Sequence, residues 1–334
     1  MDPVTHGLIG ASASQSASTN DQLWPASLIG LVSAMLADLD VFITSASDPL
    51  LNIELHRQFS HSLIFIPIGA LIATVLLWYF LRHKLTFRQI YGFSLLGYAT
   101  AGLTDTLTSY GTKLYWPFVD DRFAWNLMSV FDPLFSAGIF ACVAITLYKK
   151  NPRISWLVWG WIALYLSMAI IQQQRAKQVA QSIAQQQGHT IDRLVVKPTL
   201  GNQLLWSIRY IHQDTLYAHG VQLGLSGNSQ IYDGESAPLL NWKRQYAPFR
   251  GTTLYQDIKR FDKLSEGFLI KHPHEKNVIG DGRYAMLPTR MSPLWGIKID
   301  STNPDKHLPF KTFRESTSSL RSTYLNMILG KENP

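Results

Sequence analysis

The chain of 334 residues has one cysteine, Cys142, and it lies inside an apolar run. That excludes a disulfide framework and a cysteine zinc knuckle, and it leaves the redox compartment unmarked. No basic residue precedes the first run of small residues, so no signal peptide is expected. There is no repeat of fixed period and no Walker or Rossmann glycine signature, and no nucleic-acid partner is expected. Charge is scarce where apolar residues are dense. Up to Gln172 there are nine Lys or Arg against ten acids, whereas the remainder holds 21 against 13, a net +8 that accounts for the whole formal charge of +7.

With 46% hydrophobic and 12% aromatic residues, the apolar part is rich enough to fill a membrane. Four runs, 62–81, 89–107, 131–147 and 154–171, each have roughly the 17–25 residues of a membrane helix. Two more are expected at 25–42, which carries Asp38 and Asp40 near its end, and at 3–19, short and rich in Gly, Ala and Ser. The spacing Gly10, Ser14, Ser18 permits close backbone approach and places this first helix inside the bundle. A polar, Gln-rich helix over 172–187 is expected next. Short alternating runs with turn residues follow and read as β-strands. The expected fold is therefore an α-helical multi-pass membrane bundle of about six segments over residues 1–172, followed by a small β-rich domain over 173–334.

Short-loop charge sets the expected orientation. Arg82, Lys84 and Arg88 lie in one loop and Lys149, Lys150 and Arg153 in another, and both should be cytoplasmic. The opposite loops hold only Arg57, Lys113 and Arg122. The N-terminus, the stretch around His56 and everything after Gln172 then fall on the extracytoplasmic side. Under that topology Asp2, His6, Asp38, Asp40, His56, His61, Asp105 and Asp132 all sit at extracytoplasmic helix ends, while the cytoplasmic ends have nothing comparable beyond His83.

Ionisable residues in membrane segments are costly and usually mark a site. Imidazole plus carboxylate is the ligand set for zinc or a similar divalent ion, and an open position lowers the pKa of a bound water to about 7. The surplus side chains suit a second metal, carboxylates that orient the imidazoles, or a general base. Arg57 suits bidentate binding of a phosphate or carboxylate. Plainer roles compete: Asp2 and His6 at a helix start, Asp132 as the N-cap before Pro133, and Asp105 as a hydrogen-bond partner of Thr104, Thr106 and Thr108.

Several stretches, in order, resemble the motifs of bacterial YdjM-like inner-membrane proteins, which are described as membrane-bound metal-dependent hydrolases. They are Met1-Asp2-Pro3-Val4-Thr5-His6-Gly7, Ala37-Asp38-Leu39-Asp40, His56-Arg57-Gln58-Phe59-Ser60-His61-Ser62, Asp105-Thr106-Leu107-Thr108-Ser109-Tyr110-Gly111-Thr112 with Trp116-Pro117-Phe118, and Phe131-Asp132-Pro133. The likeness continues through Lys197-Pro198-Thr199, Leu205-Trp206 and Gly280-Asp281-Gly282-Arg283-Tyr284. It implies metal-site roles for Asp38, Asp40, His56, His61, Asp105 and Asp132, with Arg57 beside the substrate. The chain departs from similar proteins at Gln58, where they often have Gly, at His6, where they often have Gln, and at Ala101, where they often have His. Loss at Ala101 and gain at His6 are consistent with one exchange of ligand, or with neither being essential.

The first expectation is thus a multi-pass inner-membrane hydrolase. A divalent metal, most simply Zn2+, is held by His6, Asp38, Asp40, His56, His61, Asp105 and Asp132. Arg57, Asp40 and Asp105 carry the chemistry, and the substrate is a lipid or lipid-linked molecule at the outer face. The basic C-terminal domain would favour anionic headgroups or envelope polymers. The alternative is a non-catalytic membrane protein whose metal or polar cluster staples the helices and whose outer domain binds an envelope partner. Ion or proton transport fits less well, because the polar residues share one depth.

Overall fold

The computed structural model describes residues 1–224 and 227–332. It divides into two compact units. The first holds Met1–Ile43, Leu55–Ile171 and Leu200–Asn202, and the second holds Thr44–Glu54, Gln172–Thr199 and the chain from Gln203 onward.

The first unit is helical. Its elements are α1 (Pro3–Ser16), α2 (Leu23–Leu36), α4 (Ile66–Leu81), α5 (Phe87–Asp105), α6 (Pro133–Lys149) and the part of α7 (Trp156–Gln186) before Gln172, while the short α3 (Leu51–Leu55), between α2 and α4 in the chain, belongs to the second unit up to Glu54. Local chemistry sets the helix starts. Asp2 caps α1 ahead of Pro3, Thr86 and Gln89 form a capping box on α5, and Asp132 caps α6 ahead of Pro133.

Three stretches, Leu23–Phe42, Leu63–Leu81 and Pro152–Gln186, are long and apolar enough to cross a membrane, and Pro133–Lys149 is apolar but shorter. Along α4 the residues Ile68, Leu71, Ile72, Val75, Leu76 and Phe80 are exposed. So continuous an apolar face has no place in water and suits a hydrocarbon surround. Against the expected sequence segments, α1 ends at Ser16, so Ser18 lies beyond it. The expected separate helix over 172–187 is one unbroken helix with the segment before it. No Pro or Gly interrupts α7 near Gln172, and the change from apolar to polar there is a change of surroundings rather than of backbone.

At the middle of the bundle α1, α2 and α5 meet through glycine. A Cβ on Gly10 would run into the Gly30 carbonyl, and one on Gly97 would come 2.6 Å from the Gly30 oxygen. Ser14 adds a hydrogen bond to the Phe93 carbonyl at 2.9 Å. Close approach of this kind drives helix association where apolar surroundings remove the hydrophobic effect, and here it brings the ends of three helices to one place.

The second unit contains two antiparallel sheets. The first runs β1 (Arg193–Pro198), β2 (Leu205–His212), β3 (Thr215–Leu223), β4 (Ser229–Pro238) in spatial order, with a bulge at Tyr217/His219. Its Trp206, Ile208, Tyr210 and Val221 pack on Ala176, Ala180 and Ile183 of α7. Then come α8 (Trp242–Gln245), α9 (Thr253–Leu264), the second sheet β5 (Leu269–Lys271), β6 (Val278–Asp281), β7 (Trp295–Lys298), β8 (Phe310–Thr312), and α10 (Ser318–Ile328). An apolar cluster of α9 and this second sheet, centred on Leu254, Ile258, Phe261 and Ile279, takes in Leu50 from the segment Thr44–Glu54.

Candidate metal centre

After Leu36 the helix tightens into a 3-10 turn, Ala37–Phe42. With three residues per turn, positions two apart point to different sides, and Asp38 and Asp40 separate accordingly. Asp38 turns toward His6 of α1 and His61, while Asp40 turns toward His56 and Ser60. His61 ends a second short 3-10 turn, Phe59–His61. Its carbonyl lies against the bare Cα of Gly102, and the Tyr98 hydroxyl donates to the Ser60 carbonyl at 2.8 Å. Asp105 is the last residue of α5, an end where the helix dipole disfavours a carboxylate. Positive neighbours are needed to hold a fully buried acid there.

Four residues converge: His6, Asp38, His61 and Asp105 each offer a ligand atom, all within 4.8 Å of one another. The His6 Nε2 is 3.2 Å from Asp105 Oδ1 and 4.0 Å from Asp38 Oδ2. The His61 Nε2 is 3.4 Å from Asp38 Oδ1 and 3.2 Å from Asp105 Oδ2. Arg57 Nε lies 2.9 Å from Asp105 Oδ2, and the Met1 amino group lies against Asp105 Oδ1.

The outer nitrogens fix the state of the inner ones. Ser60 donates its hydroxyl proton to Asp40, so its oxygen accepts from His61 Nδ1 at 3.0 Å. Thr104 donates to the Thr100 carbonyl at 2.8 Å and accepts from His6 Nδ1 at 3.1 Å. With neutral rings, both Nε2 atoms then carry lone pairs toward the carboxylates. Correspondingly, among the described residues His61 Nε2 and Asp38 Oδ2 are buried without a hydrogen-bond partner, and Asp105 Oδ2 has the Arg57 Nε beside it. Buried acceptors facing acceptors are costly, and a divalent cation among them removes the cost, so these residues fit such an ion.

Asp40 is not one of the four. It accepts from the Arg57 amide at 2.8 Å, from His56 Nδ1 at 2.7 Å and from Ser60, and so orients His61 through Ser60. His56 pairs with Asp40 instead of entering the cluster, and its side chain is 23% exposed, the most open of the group. Arg57 adopts φ +58°, a conformation that non-glycine residues rarely take, and is held by Thr112 Oγ1 and the Lys113 amide, both 3.0 Å from its carbonyl. Its Nη2 donates to the Met1 carbonyl at 2.8 Å, and Nη1 is buried without a hydrogen-bond partner among the described residues. Asp132 is apart from the cluster: it caps α6 through the Phe135 amide at 3.2 Å and takes the Tyr165 hydroxyl at 2.6 Å. Both of its oxygens are engaged at the start of α6 and by a tyrosine, and it is not among the four residues that converge. Asp2 likewise caps α1, accepting from Thr5.

A second group in the other unit, Asp48, Asp257 and His307, escaped the sequence reading. Arg260 fills its centre, and Asp48 and Arg260 are 212 positions apart, so no local pattern could have joined them. In the same unit Asp281 pairs with Arg283, whose Nη2 lies 2.8 Å from Oδ2. The Lys197 amine is buried over the Tyr284 ring. Burial first, then the nearby Arg283 charge, push its pKa well below the usual lysine range.

No curated protein and no solved structure matches the chain. A family described as YdjM inner membrane protein matches residues 1–176, the stretch that contains every residue of the four-membered cluster. By that match, over more than half of its length, the chain belongs to the YdjM inner membrane protein family.

Proposed function

We propose that the protein is a metal-dependent hydrolase, most simply zinc-dependent, acting on a lipid or lipid-linked substrate at the outer face of the inner membrane. The observation that carries this reading is the pair of buried, hydrogen-bond-deficient acceptors on His61 and Asp38, gathered with Asp105 and His6. In this reading six helical segments cross or enter the bilayer and the C-terminal unit is extracytoplasmic, as the Lys and Arg distribution favours. His6 supplies the imidazole that similar proteins place at the position of Ala101.

A divalent ion held by His6, Asp38, His61 and Asp105 would supply Lewis-acid activation of water and of the scissile bond. Asp40 fixes His61 through Ser60 and holds His56 by its Nδ1. That leaves His56 Nε2, on the most open ring, to accept and return a proton. Arg57 neutralises Asp105 with Nε and keeps Nη1 for a negatively charged substrate group.

One observation favours a second reading, a structural ion that staples the helices. Four protein side chains are enough to complete a tetrahedral shell. The two are separated by turnover. The purified protein in nanodiscs made with bacterial lipid extract, with products followed by mass spectrometry, should hydrolyse a lipid-class substrate and stop on chelation. His56→Ala should keep its metal and lose about 10²–10⁴-fold in rate. Metal-loaded protein without turnover on any lipid class, or turnover that survives chelation, contradicts the hydrolase.

A further inference from the structure

We infer that Arg260 is a positioning residue for the metal centre: it anchors the chain segment that joins Asp40 to His56 and thereby sets the placement of both. The inference rests on the proposed reading of that centre. Thr44–Glu54 belongs to the second unit, although the chain on both sides of it belongs to the first. It begins four positions after Asp40 and ends two positions before His56. Whatever fixes this segment therefore constrains, through a few peptide bonds, the Asp40–His56 pair and the amide of Arg57.

Two anchors hold it. Leu50 is fully buried in the apolar cluster of the second unit, with Ile53 packed beside it. Arg260 then uses its whole guanidinium on the segment and one neighbour. Nε and Nη2 donate to the two oxygens of Glu54 at 2.8 and 2.7 Å, and Nη1 and Nη2 donate to those of Asp48 at 3.1 and 2.9 Å. Nη1 also donates to Asp257 at 3.0 Å. Paired forks of this kind specify geometry as well as charge.

Asp257 is itself fully buried and accepts from the Leu308 amide at 2.8 Å and from His307 at 3.0 Å, so the anchor point is rigid. Three carboxylates share one guanidinium, and without it they repel one another and release the segment. The titration behaviour agrees in direction. Burial alone would raise the Asp48 carboxyl, but the Arg260 hydrogen bond and charge, with His307 and the Leu50 amide, together outweigh it and hold the group below its ordinary value. The anchor therefore holds through the neutral range and is lost only as pH falls past the ordinary carboxylate range toward that lowered value.

Without Arg260, the segment between Asp40 and His56 loses its polar anchor and keeps the apolar one at Leu50. Ordering both ends against His61 and Arg57 then costs conformational entropy at the moment of metal binding. Arg260 removes that cost in advance, without touching metal or substrate.

The test uses full-length protein in detergent. Zinc affinity is read by chelator competition, coordination geometry by the absorption of the Co2+-substituted protein, and segment order by hydrogen exchange over 41–58. Arg260→Gln is expected to weaken zinc binding about tenfold, the lower end for loss of an outer support, and to alter the Co2+ spectrum. Arg260→Lys should recover part of both, and Leu50→Ala should act in the same direction. Arg290→Ala, which breaks an exposed ion pair in the same unit, should change neither. If Arg260→Gln does not fold, Asp48→Asn replaces it. Unchanged zinc affinity and spectrum in a variant whose segment exchanges freely overturns the positioning role. A wild type that takes up no metal overturns the reading of the centre itself, and the positioning role with it.

Discussion

On the proposed reading of the centre, Asp105→Asn is expected to abolish divalent-metal binding and to destabilise the helical unit by about 3–5 kcal/mol, the usual cost of leaving a buried charge without its partner. Asp105 is the meeting point of the centre: fully buried, it faces His6, His61, Arg57 and the Met1 amino group. Arg57 is only 4% exposed, and its Nε has no other acceptor. An amide keeps the volume and removes the charge, so packing loss does not enter the comparison. Metal content and the unfolding midpoint in mild detergent measure the two effects separately. Retention of both by the variant would mean that Asp105 is neither ligand nor counter-charge.

Gly102→Ala is expected to disable the centre without altering any residue that faces it. The added methyl would overlap the His61 carbonyl oxygen and lie 3.0 Å from its carbon. That carbonyl has little room to retreat. Tyr98 grips the preceding carbonyl, the Ser62 amide is bonded to Phe59 at 3.1 Å, and the Leu63 amide to Leu114 at 2.9 Å. The imidazole must therefore move, and if the protein is the hydrolase proposed above, a misplacement of about 1 Å costs on the order of 10²-fold in turnover. Overpacking adds about 1–3 kcal/mol of lost stability. Gly92→Ala is the control on the same helix: a Cβ there meets nothing within 4 Å. It should be neutral or stabilising by about 0.5–1 kcal/mol. Equal behaviour of the two variants would show that the close approach at Gly102 does not hold His61.

Much of the fold was legible because its signals are local. Apolar run length marks helices, and Asp132-Pro133 and Asp2-Pro3 mark helix starts. The convergence of His6, Asp38, His61 and Asp105 was partly readable, since position along a helix follows from position in sequence. Direction around the helix was not. Asp38 and Asp40, two apart, diverge as a helix of either kind requires, but which of them meets His61 and His6 was not readable, and neither was the left-handed Arg57 that follows His56. Asp132 satisfied the same depth criterion as Asp105, yet Phe135 and Tyr165 claim its oxygens. The place of Thr44–Glu54 in the second unit depends on Leu50 and on an arginine far along the chain, which no periodicity reports.

The central claim, that His6, Asp38, His61 and Asp105 hold a divalent ion while His56 stands outside it, is tested most directly by elemental analysis of purified protein in detergent. Wild type, His56→Ala and His61→Ala would be measured side by side after equal exposure to zinc. The expected result is about one equivalent of metal, as for a single mononuclear site, in wild type and His56→Ala, and none in folded His61→Ala. No metal in the wild type, or equal metal in His61→Ala, would contradict the account.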